Sequence, residues 1–184
     1  AMYFIPDNGD NSYVHFFTPA FVDVGLGLND KQLAITYNVG NPNVNATTGL
    51  PPLFMVRYVM ENASTLDEAV SYFSDFLDIS GNYYGHGGAI FLLVDFKDDS
   101  MARIQVRSEA IEVTYGEELK PGVMYTYTTN HYFGDFNPDP GYYYESSWLR
   151  LERLLEILPG YESYNLGTCL DILADHGDGE PSNN

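Results

Sequence analysis

Apolar positions recur along this chain with two different periods, and the changes between them mark its elements. A turn at residues 7–12 precedes a β-rich stretch from Tyr13 to Val24. The glycines of Gly25-Leu26-Gly27-Leu28-Asn29-Asp30 then predict a break before a second strand, Leu33 to Asn38. Residues 40–52 form a polar loop. Leu53, Val56, Met60 and Ala63 follow at helical spacing, predicting a helix that ends near Asn62. Thr65-Leu66-Asp67-Glu68 is a capping box, and it opens a second helix with Leu66, Ala69, Val70, Phe73 and Leu77 on its apolar face. After the glycine-rich stretch Gly81 to Gly88, Ala89 to Phe96 is an apolar run short enough for a buried strand. A hairpin turn at Lys97-Asp98-Asp99-Ser100 returns an alternating strand, with Ile104 and Val106 on one face and Arg103, Gln105 and Arg107 on the other. Ile111 to Tyr115 and Val123 to Thr128 read as further strands. A long aromatic loop spans His131 to Glu145. Two amphipathic helices close the chain, one with Trp148, Leu151, Leu155 and Leu158, the other with Leu166, Cys169, Leu170 and Leu173. The order β-β-α-α-β-β-β-β-α-α predicts a layered α+β domain with antiparallel sheets, not a doubly wound parallel one.

Composition narrows the picture. The 184 residues, 45% of them hydrophobic, suit one domain over 1–184 with a real core. Eight basic against 26 acidic residues leave a net charge of −18, which repels phosphate and argues against nucleic acid as a partner. The same charge disfavours anionic small molecules. The apolar run Ala89 to Val94 falls far below the roughly 18 residues of a membrane span, so no membrane partner is expected. No signal peptide is visible. The Ala1-Met2 start and the polar ending Gly177 to Asn184 lead us to expect a piece of a longer protein.

Candidate chemistry is sparse. Cys169, the only thiol, lies on an apolar helix face and is expected to be a buried small hydrophobe. His15, His86, His131 and His176 include no pair at metal-ligand spacing, and the acidic turns follow no calcium-loop pattern. Neither metal nor cofactor is expected. Gly85-His86-Gly87-Gly88 leads into a strand, a poor phosphate cradle. The most informative stretch is Tyr125-Thr126-Tyr127-Thr128-Thr129-Asn130-His131-Tyr132, where a β run ends in a polar cluster. An Asn at a strand end can aim its amide at a developing oxyanion, although such clusters also serve as plain turns.

Several segments together resemble the penicillin acyltransferase-like family, relatives of the choloylglycine hydrolases. Gly27 to Ile35 (GLNDKQLAI) resembles its G-M-N-x-x-G-L-A-V signature. Arg57 with Asn62 to Val70 resembles its R…A-x-T-x-x-E-A-V helix pair. Thr129-Asn130-His131-Tyr132 resembles T-N-H-F, and the helix with Arg150 and Ile172 to His176 resemble its later R…L and I-L-x-D-H segments. All five stand in the family's order.

The resemblance implies an N-terminal nucleophile (Ntn) hydrolase fold, an αββα sandwich, and cleavage or transfer of linear amides in small molecules. In such enzymes an N-terminal Cys exposed by self-cleavage attacks, with its own α-amino group as base. Carried over, Asn130 would polarise the scissile carbonyl, Asn38 would be a second oxyanion donor, and Arg150 would stand near the nucleophile. Asn29 and Arg57 read as structural, a turn former and a salt-bridge residue. The departures are equally specific: Gln32 stands for a Gly, Ala20 for a Gly, and neither the nucleophilic Cys nor the Asp that follows it has a counterpart. This chain alone is therefore expected to be inactive, its catalytic partner being an upstream segment, which self-cleavage would make a separate chain. The alternative is an inactive Ntn-like domain that binds acyl chains or sugars through Tyr132-Phe133-Gly134-Asp135-Phe136 and Tyr142-Tyr143-Tyr144.

Overall fold

The computed structural model describes residues 1–6, 10–16, 25–40, 50–80, 88–107, 110–136 and 145–175, except for the side chains of 77–80, 118–120 and 145. The expected strand over 17–24, most of the loop at 40–52, the glycine-rich residues 81–87 and the aromatic residues 142–144 lie outside the described residues. The chain divides into two compact units, Ala1–Tyr142 and Tyr143–Asn184.

In the first unit, seven strands pair antiparallel in chain order: β1 (Met2–Phe4), β2 (Tyr13–Phe16), β3 (Leu26–Asn29), β4 (Leu33–Val39), β5 (Ala89–Asp95), β6 (Ser100–Arg107) and β7 (Ala110–Tyr115). Helices α1 (Pro52–Asn62) and α2 (Leu66–Ser80) form the connection from β4 to β5. A two-stranded sheet, β8 (Glu117–Lys120) with β9 (Val123–Tyr125), follows. The class is α+β, as the pattern of elements implied.

One sheet face and the helices make the core. Tyr13, Leu33, Ile35, Phe91, Leu93, Ala102, Ile104 and Val106 pack with Met55, Val56, Val59, Met60, Ala69 and Phe73. The alternation of the strands sets this, since cross-strand partners share a face. Pro52 starts α1, where its missing N–H costs nothing. The capping box opens α2 as predicted: the Glu68 N–H donates to Thr65 Oγ1 at 3.2 Å. The Glu68 carboxylate reaches one residue further back than expected, accepting from the Ser64 N–H at 2.7 Å. Buried Asp95 accepts from the Leu66 N–H at 3.2 Å, fastening the same helix start to the end of β5.

Three expectations are corrected here. Leu26–Asn29 is a strand rather than a break, because β2 and β4 pair with it on both sides and outweigh its glycine. The strand begun at Val123 stops at Tyr125, short of Thr128. Cys169 is exposed. In the second unit it lies on α4 (Leu166–Ala174), whose leucines are themselves open: Leu166 is 76% and Leu173 77% exposed.

Asn29 has a structural role, as expected. Asn29 Nδ2 donates to the carbonyls of Met60 (3.2 Å) and Ala63 (2.8 Å), while Oδ1 accepts from the N–H groups of Lys31 (3.1 Å) and Leu33 (3.0 Å). One side chain thus closes the β3–β4 turn and ties it to the end of α1. Within this turn Gln32 has φ +69°, the backbone region that favours glycine. Arg57 pairs with Glu61 at 2.9 Å along α1.

Candidate active site

The second face of the sheet carries polar groups. Pairing places Asn38 opposite Ile90, Ile90 opposite Gln105, and Gln105 opposite Glu112 in one cross-strand row. Asn38 and Gln105 therefore share this face two strands apart, about 10 Å. Over the row runs the segment that follows β9.

Asn130 sits in that segment, and its Nδ2 donates to the Val39 carbonyl at 3.1 Å. The structure thus brings Asn130 to the end of β4, against the residue next to Asn38. Thr129 and His131, on either side of Asn130, are buried, with Thr129 Oγ1 and His131 Nδ1 hydrogen-bonded at 3.1 Å. Tyr132 is buried too, and packs with Ile90 and Phe136. Its hydroxyl donates to the Val106 carbonyl, and burial pushes the phenol pKa well above the ordinary tyrosine value. The ring enters between two glycines, at Gly40 and Gly88. A Cβ on Gly40 would fall 2.8 Å from the Tyr132 ring, and one on Gly88 1.6 Å from its hydroxyl.

The alternation in β6 placed Arg103, Gln105 and Arg107 on one face, but it gave no sign that this face is covered. Arg103 is only 8% and Gln105 0% exposed. Arg103 Nη1 donates to the Tyr127 carbonyl (3.4 Å), and its guanidinium lies 4.0 Å from the Phe133 ring centroid. The last strand ends where its partner does, since Tyr125 pairs with Glu117, the first residue of β8; beyond it the backbone at Tyr127 is held by this side chain. Gln105 Oε1 accepts from the Phe133 N–H (2.7 Å) and Nε2 donates to the Phe133 carbonyl (3.5 Å). Arg107 Nη1 donates to the Phe136 carbonyl (3.0 Å) and stacks 4.6 Å from that ring. Hydrophobic periodicity alone cannot reveal such partners, because they are contacts to a segment 24 to 29 residues away.

Arg150 belongs to the second unit, on α3 (Glu145–Ile157), where its Nε donates to the Ser146 carbonyl at 3.0 Å. In the same unit Arg153 grips Asp175 through Nε (2.7 Å) and Nη2 (2.8 Å), which gives the aspartate of the I-L-x-D-H segment a structural task. Asn165 caps α4 by accepting from the Thr168 N–H at 3.1 Å. A cleft lined by Arg103, Thr114, Glu117 and Tyr127 holds about 40 Å³, enough for water but not for an acyl chain. No group of acidic, His and Cys side chains among the described residues could hold a metal, and no described helix is long and apolar enough to cross a membrane.

No curated protein sequence matches the chain. Among solved structures it is similar to the Caenorhabditis elegans ortholog of N-acylethanolamine-hydrolyzing acid amidase, at a TM-score of 0.57 and 14% identity, covering 95% of this chain and 80% of that one. A variant of the conjugated bile acid hydrolase from Clostridium perfringens is more remote, at TM-score 0.44 and 12% identity over 80% of this chain and 42% of that one. The first of these likenesses shows the fold, that of the Ntn hydrolases. The sequence speaks more directly. Residues 12–184, which include every segment that builds the Asn130 cluster, match the family described as acyl-coenzyme A:6-aminopenicillanic acid acyl-transferase, and the chain belongs to that family.

Proposed function

We propose that this chain is the central part of an amidohydrolase or acyltransferase acting on linear C–N amides of small molecules. The observation that carries the reading is the 3.1 Å bond from Asn130 to the Val39 carbonyl, which fixes a carboxamide at the end of β4 beside Asn38. In this reading an upstream N-terminal Cys attacks the amide carbon and passes its thiol proton to its α-amino group. The carbonyl oxygen becomes an oxyanion that accepts hydrogen bonds from the side chains of Asn130 and Asn38. Collapse breaks the C–N bond, the amine leaves with the proton, and water or an acceptor amine takes the acyl group from the thioester. The likeness to an acid amidase supports the same reaction class.

Two experiments test this. Intact mass of the full-length gene product should show a mature chain beginning with Cys; an uncleaved product without Cys, Ser or Thr at the junction overturns the mechanism. In that mature protein Asn130→Ala should lower kcat by about 10² to 10³, the usual cost of losing one oxyanion donor. Turnover at the wild-type level would remove Asn130 from this role.

A further inference from the structure

We propose that the polar row of β6 is the positioning frame of the active site, with Gln105 as its central clamp. The inference rests on the reading of Asn130 given above and adds residues to it. Asn130 lies in a segment that forms no ladder with the sheet, so ladder hydrogen bonds do not fix its backbone. Its place comes from side chains. Arg103 holds the chain three residues before it, at the Tyr127 carbonyl, and Gln105 and Arg107 hold it three and six residues after, at Phe133 and Phe136. Spacing i, i+2, i+4 on one strand puts the three side chains on one face along about 14 Å, the length over which the segment must be registered.

Gln105 differs from its neighbours in kind. Its carboxamide offers one acceptor and one donor to the N–H and C=O of one residue, Phe133, and so imitates an antiparallel strand partner, setting the segment's register as well as its distance. It is fully buried, and without it the Phe133 N–H would be left unpaired in the same place. The two arginines add stacking to their carbonyl contacts, 4.0 Å over Phe133 and 4.6 Å over Phe136. They brace the segment sideways. None of the three bonds to Asn130 itself among the described contacts. They act through the backbone, and are positioning residues rather than catalytic ones.

Gln105→Met keeps volume and removes both hydrogen bonds, whereas Gln105→Glu keeps the acceptor for the Phe133 N–H. Two readouts are needed. Backbone hydrogen exchange of the 184-residue chain should rise about tenfold across Thr129–Phe133 in Gln105→Met, with partial recovery in Gln105→Glu and no change in α1. In the full-length mature protein, assayed with a fluorogenic N-acyl aminocoumarin, Gln105→Met should lower kcat about tenfold or more and leave KM unchanged, because a misplaced oxyanion donor harms only the transition state. Arg107→Lys, which keeps the charge but loses the planar contact, should show the same split more weakly and serves if Gln105→Met does not fold.

Unchanged exchange at Thr129–Phe133 overturns the clamp. Unchanged kcat in Gln105→Met, alongside a large loss in Asn130→Ala, overturns the positioning role while sparing the function. If Asn130→Ala is itself silent, the function fails, and the exchange data still decide whether Gln105 holds the segment.

Discussion

Gly88→Ala tests how tightly the Tyr132 ring is seated beneath the site. Gly88 has φ +59°, so a Cβ costs about 1 to 2 kcal/mol of backbone strain. That Cβ would also stand 1.6 Å from the Tyr132 hydroxyl and 2.7 Å from the Val106 carbonyl oxygen. The phenol must then leave its carbonyl, forfeiting a buried hydrogen bond at about 1 to 3 kcal/mol. The stiffer unfolded chain of an alanine returns about 0.5 to 1 kcal/mol. The net loss is about 1 to 4.5 kcal/mol. Urea unfolding followed by far-UV circular dichroism reads it as a lower midpoint at constant slope. Gly122→Ala is the control: its φ is +75°, yet nothing lies within 4 Å of the added carbon, so it bears the backbone cost alone. Adding Tyr132→Phe to Gly88→Ala removes the shortest contact, so the two changes together should cost less than their sum. The reasoning fails if Gly88→Ala destabilises no more than Gly122→Ala.

Gln32→Gly should stabilise by about 0.5 to 1 kcal/mol, since it relieves a left-handed conformation that glycine adopts freely; a lower urea midpoint refutes this. His15 is buried, and that burial, with the positive charge of Arg57 adding to it, holds its imidazole below the ordinary value of 6.5. The unfolded chain therefore takes up a proton that the folded one resists. Stability should be full above about pH 6.5 and fall as pH drops through the lower folded value, and His15→Phe should flatten that part of the profile measured by urea midpoints.

The parts of the fold with a strong single period were legible: α1, α2, β5 and β6 lie where apolar spacing put them. Legibility failed where pairing rather than pattern decides. β1 and β8 are three and four residues long, too short to show a period, and β3 contains a glycine that tertiary pairing overrides. Of the candidate site, Asn130 and Asn38 were named from the family resemblance, and the structure bonds Asn130 to Val39, the residue after Asn38. Gln105 and Arg107 were visible as an alternating face. Their purpose was not, because nothing local distinguishes a polar side chain facing water from one facing a distant carbonyl. Cys169 misled for the converse reason: its helix has the periodicity of a buried one, and the leucines that create it are open.

The way β4 meets β5 has a consequence for the order of folding. Every other junction in the seven-stranded sheet is closed by a short connection, whereas this pair is separated in sequence by both helices. Closing it is the costliest entropic step in building the sheet. The groups that seal it are Asn130, bonded to Val39 where the chain departs, and Tyr132, wedged at Gly40 and Gly88 where it leaves and returns. The segment that carries Asn130 is therefore also the latch on the junction of widest sequence separation in the seven-stranded sheet. It reaches its geometry only once the two halves of the sheet have joined, so the 3.1 Å bond from Asn130 to Val39 reports on completion of the sheet.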